Sequence, residues 1–532
     1  MLLFCQICID SSILITIIIR MGKSSTLFDK ATQKFTPFIE FFTTERAHWI
    51  IIGVGAILRI AQFLFNRSLT EGEAPIAMNI ISHSYSELFR PLDFIQPAPV
   101  GFSIIEKLFV DMFGNSEYVL RLFPFIAGIA TLYLFYRIAQ KFLSRNAIPI
   151  ALILFVVCDH LIYFTSEVKQ YSSDVAITLL LILIASIIVT KKYSSTLLVL
   201  YGCLGALTFW FSHPAVFTFF GTSIVLLMYL IQKRVWEHVM WFCIAIVIAG
   251  MSLSINYLLT LEILSTSQGL IEGFQNSFMP LPPQSFVDVQ WFGYVFLRMF
   301  KNPLGFSFFE LPLAVVSCII GCIIMFIKKK KILLFLILPI LCALIASGFK
   351  KYPFEGRLLL FSAPLMFLVI AEGIEVIRMI VSQKSSVVGI ILVIVLLFQP
   401  VVLAGYHVIK PRAPEELRPV VKYLKNNYRK SDTIYVYYAA VKAYRYYADR
   451  FNLSQHDYVM SVESQYDWNN YYNDIKRFKG TKRLWILFSH IIKWYGVDEE
   501  KLLLSYLDIF GKRIAEFRTS GASIYLYDLG ER

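Results

Sequence analysis

Apolar runs about twenty residues long, each closed by charged or turn-forming residues, recur along the first three-quarters of the chain. They begin near Ala47, Val119, Ala147, Asp174, Ser195, Pro214, Val235, Ser307, Ile332, Arg357 and Ser386. A helix needs roughly 20 apolar residues to cross a bilayer, so the pattern predicts about eleven spans. After Lys410 the pattern changes. PRAPEELRPVVKYLKNN, AVKAYRYYAD and EEKLLLSYLDIF predict helices, while DTIYVYY, KRLWILFS and ASIYLYDL predict strands. Their alternation predicts a small α/β domain. That segment carries no Gly-rich phosphate loop and no nucleophile elbow, which favours a substrate-shaping or docking lobe over a second active site.

Composition agrees with the spans. Of 532 residues, 57% are hydrophobic and only 16% charged, a balance outside the range of soluble domains. The basic residues then orient the chain. Lys141 and Arg145, Lys191 and Lys192, Lys233 and Arg234, Lys328 to Lys331, and Arg378 with Lys384 occupy every second loop, as cytoplasmic loops do. The net charge of +13 is accounted for by this inner collar beside membrane lipids and gives no reason to expect nucleic acid. The predicted organisation is an N-terminal cytoplasmic segment 1–46, a membrane domain 47–406 with a long outer loop at 68–118, and a periplasmic α/β domain 407–532. Residues 1–20 form a short apolar stretch broken by Asp10, without a charged leader or small-residue cleavage site. Met21 is read as the better start. Cys158, Cys203, Cys243, Cys318, Cys322 and Cys342 lie in apolar runs and act as small hydrophobes. Cys5 and Cys8 form a lone CxxC.

Candidate chemistry gathers in the outer loops. Ser68 to Arg121 is a long, acidic, proline-bearing segment between two spans, and it puts Glu71 and Glu73 at the membrane boundary. Transport cores rarely need such a loop, whereas catalysis on a polar substrate beside lipid does. SEVKQYSSD supplies Glu167, Lys169, Tyr171 and Asp174; ordinary helix-end solvation is the competing reading. GFKKYPFEGR brings Lys350, Lys351, Tyr352 and Arg357 to the outer side, against the usual charge bias. A guanidinium there is costly unless it meets an anion or snorkels to headgroups. His213 lies in a turn that Pro214 alone would explain. The chain offers acidic pairs but no HxH or DxD, which leaves a divalent cation open.

Taken in order, SLTEGEAPIAMNI, PLDFIQPAPVGF, FGNSEYVLRLFPFIAG, SEVKQYS, NSFMPLPPQSFVDVQWF and KYPFEGRLLLFSAP resemble the GT-C superfamily of membrane glycosyltransferases. The likeness is to the bacterial branch akin to protein O-mannosyltransferases and lipid A aminoarabinose transferases, and it covers about Ala47 to Ala404. It implies a GT-C-like fold in the inner, or plasma, membrane with the active site on the periplasmic or extracellular side. It also implies a polyprenyl-phosphate sugar as donor, a lipid, glycan or protein acceptor, and hexosyl or pentosyl transfer by a single inverting displacement. An acidic residue of an Asp-Glu-Ala motif in the first outer loop serves that family as general base. Here Glu73-Ala74 keeps the register, Gly72 stands at the aspartate position, and Glu71 lies one residue earlier. The resemblance therefore makes Glu73 the expected general base, with Glu71 as the second candidate that supplies the missing charge from the adjacent position, and Lys169, Arg357, Lys107 and Arg121 as candidates for the donor phosphate. Glu167, Tyr171, His213, Tyr352 and Gln96 are candidates for the rest of the substrate. The competing classes are a secondary transporter and a non-catalytic scaffold of a glycan or lipid pathway.

Overall fold

The computed structural model describes residues 40–530 apart from 191–193, 308, 384, 454, 456, 465–466 and 495. The expectations for residues 1–20, Cys5, Cys8, Lys191, Lys192 and Lys384 lie outside the described residues. Each of the eleven apolar runs forms helix. The first spans and the loop between them are α1 (Glu45–Leu64), α2 (Ala74–Ser82), α3 (Val100–Phe113) and α4 (Leu122–Phe142). Next come α5 (Ala147–Val157), α6 (Asp159–Tyr163), α7 (Tyr171–Thr190), α8 (Ser195–Thr208), α9 (Ala215–Gln232) and α10 (Trp236–Asn256). The outer helix α11 (Phe286–Lys301) precedes α12 (Leu311–Lys328), α13 (Lys330–Gly348), α14 (Ala363–Ser382) and α15 (Ser386–Ile409).

Among the described residues, nine helices are long and apolar enough to cross a membrane, and the run from Ala147 is a pair bent by 53°. The bend falls at Cys158, whose backbone is extended. Helix α8 has 14 residues, a length of about 21 Å, short of the ~30 Å hydrocarbon core. The chain is a multi-pass membrane protein.

Small residues let the bundle close around α14, the most buried span. A Cβ on Gly373 would lie 1.8 Å from the Ser317 carbonyl oxygen, and one on Gly321 would lie 2.1 Å from that of Val369. Only glycine allows α12 and α14 to approach so closely. At the end carrying the basic loops, Glu372 accepts from Ser144 N and Lys329 Nζ, and Glu375 from Asn146 and Arg378.

The C-terminal domain begins with α16 (Leu417–Asn427), whose Leu417, Val420, Val421 and Leu424 form the buried stripe of an amphipathic helix. Strand β1 (Thr433–Val436) leads through α17 (Val441–Arg450) to β2 (Tyr458–Met460), and α18 (Trp468–Lys476) leads to β3 (Leu484–Ser489). A hairpin of β4 (Lys493–Trp494) and β5 (Val497–Asp498), the helix α19 (Glu499–Phe510), β6 (Lys512–Thr519) and β7 (Ala522–Asp528) complete it. The five-stranded sheet runs β2-β1-β3-β7-β6. It is parallel across β2-β1-β3 and antiparallel across β3-β7-β6. The three predicted helices and three predicted strands are present; β2, α18, the β4–β5 hairpin and β6 are additional to them.

One hydrophobic core serves both this domain and the first outer loop. Leu69, Ile76, Ile80, Leu88, Phe102 and Leu120 of the loop pack in the same cluster as Val420, Tyr447, Ile486 and Ile524. Polar clamps reinforce it. Ser68 donates through its backbone and hydroxyl to Glu416, Leu69 N to the Tyr447 hydroxyl and Glu71 N to Glu415. Arg418 donates to Asn66 O and pairs with Glu117. The loop that carries the acidic candidates is thus held from above by the C-terminal domain.

Candidate active site

After α1 the backbone turns at Asn66, which takes a positive φ, and brings Arg67 and Glu73 together. Glu73 is fully buried. Its carboxylate accepts from Arg67 Nη1 at 2.5 Å, Arg121 Nη2 at 3.1 Å, Thr70 N at 3.0 Å and Val168 N at 2.9 Å. Arg121 Nε and the Thr70 hydroxyl add longer contacts. A carboxylate offers about four lone-pair directions, and these donors occupy them. Burial alone would raise the pKa, but Arg121 and Arg67 outweigh it and hold the carboxyl well below the usual range. Arg67 also donates to Ser166 O and lies over the Tyr163 ring. Glu73 therefore ties three outer segments into one buried ionic knot.

Glu71 faces the other way, into a cavity of about 550 Å³ between the loop and the C-terminal domain. Its Oε2 accepts from Ala443 N at 3.0 Å, at the start of α17, and its Oε1 lies 3.4 Å from Lys442 Nζ. Burial raises its pKa to about 7, against the pull of the Ala443 N–H, Lys442 and His490. Beside it, His490 shares a 2.7 Å contact with Glu415.

The cationic candidates lie at the span ends opposite the basic loops. Lys169 is buried and donates to Gln96 Oε1 at 3.3 Å. Among the described residues no carboxylate lies within ion-pair distance of it or of Arg357. Burial lowers the Lys169 pKa first, and repulsion from Arg357 adds to that, with a further contribution from Lys442. Arg357 is exposed and stands 5.8 Å from the centre of the Tyr171 ring. Glu167 is buried, and Arg67, Arg357 and Lys169 all act on it; burial and then Glu73 nevertheless raise its pKa. Three buried acceptor atoms here have no hydrogen-bond partner: Glu167 Oε2, Gln170 Oε1 and Asp174 Oδ1.

The other sequence candidates have partners of their own. Arg121 is taken up by Glu73 and by the carbonyls of Arg67 and Ser68. Lys107 reaches Ile80 O and Asp111. The Tyr352 hydroxyl donates to Leu358 O, and the His213 carbonyl accepts from Val216 N in its turn. Among the described residues, no three His, Cys, Asp or Glu side chains are grouped to hold a metal ion.

Residues 97–257 match a family model described as dolichyl-phosphate-mannose-protein mannosyltransferase. No curated protein sequence matches the chain. The fold is similar to ArnT from Cupriavidus metallidurans in its apo state, with TM-score 0.52 and 9% identity over 91% of this chain and 98% of that one. ArnT bound to undecaprenyl phosphate matches with TM-score 0.51 and 9% identity, covering 90% and 98%. The chain has the GT-C fold. Within it, the family match takes in Arg121, Glu167, Lys169 and Tyr171 and stops short of both loop glutamates.

At the aspartate position of the GT-C motif, a Cβ on Gly72 would sit 3.9 Å from both Lys169 Cε and Thr70 Oγ1. A side chain at this position would meet Lys169 in ordinary van der Waals contact, without a clash. Sequence reading missed Arg67, although like Arg357 it is a cation at a span end opposite the basic loops. It also missed Lys442, Tyr438 and His490, which lie more than 360 residues from Glu71 and carry no motif.

Proposed function

We propose that the protein is a membrane glycosyltransferase that moves a sugar from a polyprenyl-phosphate carrier to an acceptor at the outer face of the membrane, by a single inverting displacement. The observation that carries this reading is the pair Lys169 and Arg357. They are two mutually repelling cations at the membrane surface, with no carboxylate at ion-pair distance among the described residues, beside three unpartnered buried acceptor atoms. A phosphate between them relieves the repulsion through charge-assisted hydrogen bonds, and sugar hydroxyls supply the donors that Glu167, Gln170 and Asp174 lack. Undecaprenyl phosphate bound in the similarly folded ArnT supports a lipid-linked donor. The basic collar at Lys141, Arg145, Lys233, Arg234 and Lys328 to Lys331 supports an outward-facing site.

Glu71 serves as general base. Glu73, the base expected from the motif register, has no free lone pair, whereas Glu71 lines the cavity, accepts a single hydrogen bond from Ala443 N beside a 3.4 Å contact to Lys442, and has a pKa near neutrality. The acceptor hydroxyl passes its proton to Glu71 as its oxygen bonds to the anomeric carbon. The carbon–oxygen bond to the carrier breaks, and the electron pair goes to the phosphate, whose growing charge Arg357 and Lys169 stabilise. Tyr171 and Gln96 hold those two cations in place. A secondary transporter would carry its ionisable groups at mid-bilayer.

The test uses full-length protein in nanodiscs, given radiolabelled polyprenyl-phosphate sugar and membrane vesicles as acceptor. Label leaving the carrier for a vesicle component supports transfer. Label that stays on the carrier and appears across a sealed bilayer supports transport instead.

A further inference from the structure

The cavity that receives Glu71 is built by the C-terminal domain in a particular place. Tyr438 follows β1, Ser461 follows β2, and His490 follows β3. These are the carboxyl ends of three adjacent parallel strands, and β1 lies between the other two. The chain leaves β1 for β2 on one side and then crosses to β3 on the other. A reversal of this kind opens the crevice in which open α/β sheets bind ligands. A second cavity of about 510 Å³ adjoins the first, sharing Val462, Glu463 and Arg477 and adding Ser464, Asn470 and Asn473. Together they form a groove with Glu71 at its inner end.

The charges inside the groove narrow the ligand class. An anion would ordinarily take the N–H groups at the start of α17, but the Glu71 carboxylate already accepts from Ala443 N there. Lys442 faces Glu71, His490 faces Glu415, and Arg477 pairs with Asp474 at 2.7 Å. Each cation of the groove has its own carboxylate, and the β1–α17 turn, Tyr438-Ala439-Ala440, has no glycine to admit a phosphate. The remaining wall is made of amides and hydroxyls from Asn470, Asn473, Ser461 and Ser464 and the carboxylate of Glu463, which repels an anion further, with the Tyr438 ring and Met460 as apolar surface. Amides and hydroxyls beside an aromatic face suit a neutral, polyhydroxylated ligand.

We propose that this groove is the acceptor site, that its ligand is a neutral glycan or a sugar-bearing head group, and that the C-terminal domain presents one of its hydroxyls to Glu71. This rests on the glycosyl-transfer reading above. Asn473 is exposed on α18, so substitution there changes the groove without disturbing a core.

The experiment measures two quantities on the full-length protein in nanodiscs: the affinity for undecaprenyl phosphate alone, and the amount of source-cell membrane vesicles that half-saturates transfer. Asn473→Ala should raise the half-saturating amount by roughly threefold to tenfold, the effect of losing one hydrogen bond. Asn473→Trp, which fills the groove, should raise it further. Neither should alter undecaprenyl-phosphate affinity. Labelled product should resist protease. Unchanged half-saturation in both variants, or product that protease renders soluble, overturns the groove assignment while the transfer reading stands. Wild-type protein that moves no sugar from the carrier defeats the transfer reading itself, and the groove assignment with it.

Discussion

Glu71 and Glu73 are two residues apart, yet the surroundings of one resemble a protein core and those of the other a substrate cleft. Around Glu73, two guanidiniums, a hydroxyl and two backbone amides converge on one carboxylate that water does not reach. Around Glu71, the partners come from a different domain, the residue lines a cavity, and the pKa rises to about 7. The difference arises because the chain turns between them at Gly72, sending one side chain down into the knot and the other up to the C-terminal domain. A paired buried carboxylate is anchored in its charged form and suits a structural role. One that is desolvated but incompletely compensated titrates near neutrality and suits proton transfer.

The largest effect that could break this comparison is on rate. Glu71→Gln keeps an acceptor for Ala443 N but removes the proton acceptor, so transfer should fall by about 10²- to 10⁴-fold with the thermal midpoint retained, as read by label transfer and by unfolding in detergent. Glu73→Gln should act on stability. It leaves two buried guanidiniums short of a counter-charge and should cost about 3 to 5 kcal/mol, measured as a lowered unfolding midpoint and faster proteolysis of the loop at 65–121.

How much of this was legible beforehand follows the same division. The spans were legible because lipid imposes long apolar runs. The bend at Cys158 had a signal, Asp159-His160 breaking the apolar run AIPIALILFVVCDHLIYF, which a count of run length passes over. Strand β6 had a signal, the alternation KRIAEFRT between Gly511 and Gly521, and its exposure alternates along the strand; α18, WNNYYNDIK, buries only Tyr471, Asp474 and Ile475 and offers no apolar period. In the site, Lys169 and Arg357 stood out because cations on the outer face run against the charge bias. The contrast between Glu71 and Glu73 did not, because it depends on Arg67, Arg121, Lys442 and Ala443, which tertiary packing brings together from distant positions.

Smaller effects sharpen the comparison. Arg357→Ala should weaken undecaprenyl-phosphate binding by about 1.5 to 3 kcal/mol, the range for a hydrogen bond to a charged group, and Arg357→Lys should recover only part because it loses the fork. Calorimetry in nanodiscs reads both; unchanged affinity in Arg357→Ala would reduce Arg357 to a headgroup anchor. Gly72→Asp should raise thermal stability by about 1 kcal/mol, since the added carboxylate comes within contact of buried Lys169, which has no ion pair among the described residues, without a clash. A loss of thermal stability in that variant would mean that the side chain does not fit beside Lys169.

The central claim, that Glu71 is the base, is tested most directly by the pH dependence of transfer. Burial raises its carboxyl to about 7. The base form accumulates as pH rises through that value, so the rate should climb through about pH 7 and level off above it. The same shift should lower folded-state stability as pH rises from about 4.5 to about 7, because the unfolded chain releases this proton first. In Glu71→Gln the climb in rate should vanish, leaving a low and flat profile. A Glu71→Gln protein that transfers at the wild-type rate with the wild-type pH profile would contradict the account.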